Sequence, residues 1–122
     1  MGAVGALAVT PALAGSQEAH AMDGLIAKLT AVPGKREELI GILKESDGMP
    51  GCFSYVVARD IADENTIWVT EVWDSVASHD ASLSLPSVKN AMLRGRPLIA
   101  GFQKIAVTNP AWGIGLPPAR TP

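Results

Sequence analysis

The sequence predicts an α+β domain built on a four-stranded antiparallel sheet, and three observations carry that prediction. Apolar periodicity runs in the order strand, helix, strand, strand, helix, strand, which is the ferredoxin-like split βαβ arrangement. The two middle strands are joined only by the short polar run "IADEN", so they pair as an antiparallel hairpin. The chain has 122 residues, the length of one domain.

Each element follows from its own pattern. "GLIAKLTA" (residues 24–31) alternates Leu25, Ala27, Leu29 and Ala31 with Ile26, Lys28 and Thr30, the two-residue period of a strand. "VPGKREELIGILKES" breaks at Pro33-Gly34 and then sets Leu39, Ile42 and Leu43 at helical spacing. Glu37 and Glu38 in its first turns and Lys44 near its end suit the helix dipole, and "GMPG" stops it. "CFSYVVARD" (52–60) and "TIWVTEVW" (66–73) are the second and third strands. Asp74 or Ser75 caps a helix beginning "SVASHDASL", where Val76, His79 and Leu83 form one apolar stripe. Pro86 opens a second helical piece, "PSVKNAML", which "RGRP" ends. "GFQKIAVTN" (101–109) is the last strand.

Helices cover one face of such a sheet, so the other should be polar if it meets water. It is not. Phe53, Tyr55 and Val57 alternate with Val56 and Ala58; Ile67 and Val69 with Trp68 and Val72; Ile105 and Val107 with Phe102 and Ala106. At about 25 cal/mol per Å² of apolar area, several bare side chains forfeit several kcal/mol. That is comparable to the whole stability of a domain. A second copy, sheet against sheet, is the expected cover: a homodimer through the open sheet face.

Composition excludes several classes. A net charge of -2 with 18% charged residues offers no nucleic-acid or anionic-membrane surface. The lone Cys52 rules out an intrachain disulfide and reads as a packed small residue rather than a nucleophile. His20 lies in the N-terminal segment and His79 stands alone in the body, so no metal site is expected. A P-loop, a dinucleotide-binding glycine pattern and a Gly-x-Ser-x-Gly elbow are absent, and "RGRPLIAG" lacks a phosphate-cradling context.

The ends differ from the body at residues 22–109. Residues 1–21 are almost wholly Ala, Gly, Val and Leu, with the first charge at Glu18. The run from Gly2 to Ala14 matches a signal-peptide core, and "ALA" (12–14) and "AHA" (19–21) resemble cleavage sites, though a basic start is missing. The expectation is cytoplasmic if translation starts at Met22, and periplasmic or secreted if residues 1–21 belong to a signal peptide. The run is too short, and interrupted by Pro11, to span a bilayer. Residues 110–122 are rich in Pro and Gly and should lie extended on the surface, with Trp112 as a packing anchor.

"LTAVPGKREELIGIL", "MPGCFSYVVARDIADENTIWVTEVWDSVASHDASL" and "GFQKIAVT" together resemble the antibiotic biosynthesis monooxygenase (ABM) domain, in its quinol-monooxygenase-like members. The resemblance runs in order over residues 24–109. It implies a dimeric α+β barrel with a pocket between sheet and helices in each subunit. It also implies oxygenation of phenolic or quinol compounds with no cofactor, whether metal, flavin or haem. Haem-degrading relatives use an Asn on the first strand and a late His; "LIAKLT" and the lack of a histidine after His79 set haem aside.

The family's histidine after Trp-Asp falls on His79, which the resemblance makes the catalytic base. Tyr55 and Trp73 fall where aromatics line the family's pocket, and Glu71 completes a substrate-binding set. Each residue also has a plainer reading. His79 is then a buried imidazole bonded to a carbonyl or carboxylate, and Glu71 is paired with Arg59, Lys104 or a partner arginine. Trp73 is then simply core, and Lys89, Arg94 and Arg96 a solvated basic face rather than an attractor of acidic ligands. The expected function is a cofactor-independent monooxygenase acting with O₂ on a quinol or polycyclic phenol. The alternatives are a non-catalytic dimeric ligand-binding or stress-associated module, or a muconolactone-type isomerase.

Overall fold

The computed structural model describes residues 21–118. The leader expected over residues 1–21 lies, but for Ala21, outside the described residues. The elements are β1 (Asp23–Ala31), α1 (Arg36–Leu43), β2 (Cys52–Arg59), β3 (Thr66–Trp73), α2 (Val76–Ser82), α3 (Pro86–Gly95) and β4 (Ile99–Thr108). Short 3₁₀ turns, Lys44–Ser46 and Arg96–Leu98, follow α1 and α3. The sheet order is β2-β3-β1-β4 with every pairing antiparallel. This is the α+β ferredoxin-like fold: β3 is inserted between β1 and β2, and β1 between β3 and β4.

Alternation along β1 decides which face is covered. Leu25, Ala27, Leu29 and Ala31 are buried, while Ile26, Lys28 and Thr30 are only partly so. Leu29, Ala31, Ile67 and Val69 from the sheet pack with Leu39 and Ile40 of α1 in one cluster. α3 closes the same side with Val88 and Ala91. Among the described residues no helix is long and apolar enough to cross a membrane.

The β2–β3 hairpin is tied by its own polar loop. Asp60 accepts from the amides of Ala62 and Asp63 at 3.0 and 2.8 Å and from Trp68 Nε1 at 2.8 Å. These donors, the indole first, hold its carboxyl below the usual range. Arg36 of α1 donates to the carbonyls of Asp60, Asp63 and Thr66, fastening the loop to the helix layer.

Three details depart from the pattern-based expectation. β4 is bulged at Ile105, between its pairings with Ile26 and Ala27, so strict alternation fails. Phe102 pairs with Leu29 and shares the helix-covered side, whereas Ala106 pairs with Ile26 on the other. On α2 the stripe is not buried: Val76 is 56% and Leu83 53% exposed, and only Ser82 is fully buried. Trp112 is 78% exposed in the single chain and anchors nothing there.

The helix-free face combines Ile26, Val56, Trp68, Val72 and Ala106 with Lys28, Thr30 and Thr70. It is less uniformly apolar than the alternation suggested. Lys28 Nζ stands 5.7 Å from the Trp68 ring centroid, placing a cation over that indole.

Gly51 is the tightest point at the entry to β2. Its φ is +83°, its carbonyl accepts from the Asp74 amide at 2.8 Å, and a Cβ there would stand 2.6 Å from the Ser78 side chain. Gly34 has a similar φ, +82°, but open space around it. Urea unfolding should show Gly34→Ala losing about 1 kcal/mol from backbone strain alone, and Gly51→Ala roughly 2–3 kcal/mol. Equal losses would mean that β2 and α2 do not approach as described.

Candidate functional site

Strand register brings the site together. Across β1 and β3, Asp23 pairs with Trp73 and Leu25 with Glu71; across β2 and β3, Cys52 pairs with Trp73 and Tyr55 with Glu71. Paired residues share a face, so Asp23, Tyr55, Glu71 and Trp73 cluster on the helix side at one end of the sheet. β3 passes into α2 through Asp74 and Ser75. Ser75 is the N-cap, its Oγ accepting from the Ser78 amide at 3.1 Å. That sharp entry turns α2 back over the sheet, and His79 stacks on Trp73 with centroids 4.9 Å apart and planes 8° from parallel.

His79 lies between two carboxylates. Nδ1 is 2.7 Å from Asp23 Oδ2, and Nε2 is 3.4 Å from Glu71 Oε1. Trp73 Nε1 donates to that same Glu71 oxygen at 2.9 Å. The Asp23 and Glu71 side chains are only 10% and 11% exposed. Carboxylates so placed are costly unless hydrogen-bonded, and here the imidazole and the indole serve both. Of the partners the plainer reading offered Glu71, Arg59 is spent on Glu37, in a two-pronged contact at 2.7 and 2.8 Å. Because Asp23 and Glu71 face opposite ring nitrogens, they share no common point. Among the described residues no group of three or more His, Cys, Asp or Glu is placed to hold a metal ion.

A cavity of about 360 Å³ opens beside this cluster, between the sheet and the helices. Its walls are apolar: Leu25, Ala27, Leu29, Leu39, Val69, Val88, Ile99 and Phe102. Tyr55, Glu71, Trp73 and His79 all line it, so the structure gathers the four singled-out residues around one space. Asp23 does not line it, and sequence reasoning missed that residue. Its signal was one step away, since Asp23 continues the buried series Leu25, Ala27, Leu29 backward by two. The basic cluster splits: Arg94 pairs with Glu45, while the exposed Arg96 reaches the cavity lining.

Burial raises two acids here. The Cys52 thiol is pushed up by desolvation and further by the Glu71 charge, as befits a packed thiol rather than a nucleophile. The Tyr55 phenol is pushed well up by burial first and then by Glu71.

The antibiotic biosynthesis monooxygenase family model matches residues 22–94, and the chain belongs to that family. It is similar to a solved Chloroflexus aurantiacus J-10-fl protein provisionally named an antibiotic biosynthesis monooxygenase. The two are 57% identical with TM-score 0.73, over 75% of this chain and 95% of that one. A Caulobacter crescentus CB15 protein provisionally given the same name is 20% identical, TM-score 0.67, over 80% and 97%. A third, from Nitrosomonas europaea, is 11% identical, TM-score 0.68, over 75% and 91%. These last two speak for the fold alone. No curated protein matches the chain.

Tyr55 is the only tyrosine, so its ionisation can be followed by absorbance. Its folded value lies above the ordinary one of about 10, so only the unfolded chain loses the proton just above that pH. Stability should therefore fall as pH rises past about 10, and phenolate absorbance should appear only together with unfolding. Phenolate appearing near pH 10 in the intact fold would contradict the buried placement.

Proposed function

We propose that the protein is a cofactor-independent monooxygenase that oxidises a quinol or polycyclic phenol with O₂. The observation that carries this reading is the hydrogen-bonded imidazole of His79, presented with Glu71 at the polar end of an otherwise apolar cavity. A planar ring lies against the apolar wall, Tyr55 and Trp73, with its hydroxyl toward Nε2. His79 takes the phenolic proton, and the phenolate gives an electron to O₂. The resulting radicals combine into a carbon-bound peroxide anion, which takes the proton back from His79 to become a hydroperoxide. Loss of the remaining C–H proton and of hydroxide leaves a carbonyl and water. One oxygen atom enters the substrate, the other leaves as water, and the substrate supplies all the electrons. An apolar enclosure suits this sequence by keeping bulk water from the intermediates.

The working unit in this reading is a homodimer through the helix-free sheet face. Val56, at 50% exposure, and the half-buried Ile26, Trp68 and Val72 support it as a surface that gains from cover. Sedimentation should show a dimer for the native chain and a monomer for Val56→Lys. A monomeric native chain would remove this assembly.

The direct test is oxygen uptake by metal-stripped protein against a panel of quinols and polycyclic phenols. Turnover is expected, with His79→Ala reducing it roughly 100- to 10,000-fold while circular dichroism stays native. Undiminished uptake by that variant would take His79 out of the chemistry. Conversion without oxygen uptake would point to an isomerase, and binding without conversion to a ligand-carrying module.

A further inference from the structure

We propose that Asp23 is a positioning residue that holds His79 in the Nδ1–H tautomer and so leaves the Nε2 lone pair facing the cavity. The inference deepens the proposed function, but its primary readout does not depend on that function. Asp23 is 7% exposed and stands at the first position of β1, fifty-six residues from His79 in sequence. It lies outside the cavity lining, whereas His79 lies in it. Whatever Asp23 does for a ligand, it does through the imidazole.

The chemistry of the two ring nitrogens decides what that is. A neutral imidazole has one donor and one acceptor, and an ionised carboxylate only accepts. The 2.7 Å contact between Nδ1 and Asp23 Oδ2 is a full hydrogen bond, so it places the ring proton on Nδ1. Nε2 is then the acceptor. Its 3.4 Å separation from Glu71 Oε1 is slack by comparison, and Glu71 is already engaged by Trp73 Nε1. A ligand hydroxyl can therefore bond Nε2 without displacing a strong native contact.

Stacking on Trp73 fixes the ring plane but leaves two in-plane orientations, related by a flip that exchanges the edges. Asp23 selects between them. Without it, the tautomer and the flip state would both be free, and only a fraction of molecules would present a lone pair to the cavity. The same logic makes Asp23 distinct from Glu71, which lines the cavity and meets the ligand itself.

The test is nitrogen-15 NMR of labelled histidine in the ligand-free protein, at a pH where the ring carries one proton. His20→Gln removes the only other histidine signal. A protonated Nδ1 and an unprotonated Nε2 on His79 are expected. Asp23→Asn, which keeps the shape and loses the acceptor-only character, should shift the population toward Nε2–H. The same variant should lower kcat for quinol oxidation about 100-fold or more and change KM far less, since Asp23 itself makes no contact in the cavity. A native spectrum showing Nε2–H overturns the proposal, needs no variant to fold, and does so whether or not oxygen is consumed. So does an Asp23→Asn protein with native tautomer and native kcat. Nδ1–H in a protein that consumes no oxygen with any quinol supports the role of Asp23 while removing the oxygenase reading.

Discussion

Two carboxylates are buried at one end of the sheet, and a single imidazole and a single indole keep them there. Asp23 meets His79 Nδ1, Glu71 meets Trp73 Nε1, and the two rings stack. Each aromatic group is used twice, once by its polar edge and once by its face. The acids explain why a histidine and a tryptophan are needed at those places, and the rings explain why the acids tolerate burial. The network joins β1, β3 and α2, so the polar end of the cavity is also a joint of the fold. These four residues serve the packing of the fold, and Glu71, Trp73 and His79 also line the cavity.

The joint depends on backbone features remote from its chemistry. Antiparallel register sets Asp23 beside Trp73 and Leu25 beside Glu71, and a one-residue slip would send Asp23 and Glu71 to opposite faces. The N-cap at Ser75 ends the strand direction abruptly, while Gly51 allows β2 to pass close under Ser78. His79 lies one helical turn beyond the cap, its amide bonded to the Ser75 carbonyl at 3.2 Å. A looser entry would move the imidazole away from both carboxylates. The geometry of the site is thus mostly inherited from β3 and from how it ends.

Period and punctuation made the fold legible. β3 was bounded to the residue, because a polar loop precedes it and an Asp-Ser cap follows. Strand periodicity starts one residue late at β1 and two late at β4, because Asp23 is a poor strand former and Ile99 directly follows the helix-ending run "RGRPL". That single residue at β1 hid half of the histidine's environment. The grouping of Tyr55, Glu71, Trp73 and His79 was readable because alternation along β3 and a helix following directly are local features. The partner of Glu71 was not readable. Charge complementarity points to a basic residue, and only the turn of α2 reveals that within the chain an indole and an imidazole face it. The bulge at Ile105 moved Phe102 to the cavity side for the same reason: bulges arise from pairing between strands, and neither sequence alone contains them.

The apolar character of the cavity sets what its polar end can do. Walls of Leu, Val, Ile and Ala make no hydrogen bonds, so at this end a ligand is oriented by Glu71, His79 and Tyr55. Glu71 accepts and does not donate while ionised, and Nε2 accepts once Nδ1 holds the proton. Tyr55, kept protonated by burial beside Glu71, is a donor there. In the proposed function a ring hydroxyl meets this end, donating to Nε2 or Glu71 and accepting from Tyr55. A ligand carboxylate would bring a third negative group toward Asp23 and Glu71, with the exposed Arg96 at the lining its counter-charge. An acidic ligand thus meets two carboxylates and one exposed arginine, whereas a neutral hydroxyl needs only the donors and acceptors already at this end. In the proposed function the hydroxyl proton goes to Nε2, the ring nitrogen that the Asp23 contact leaves unprotonated.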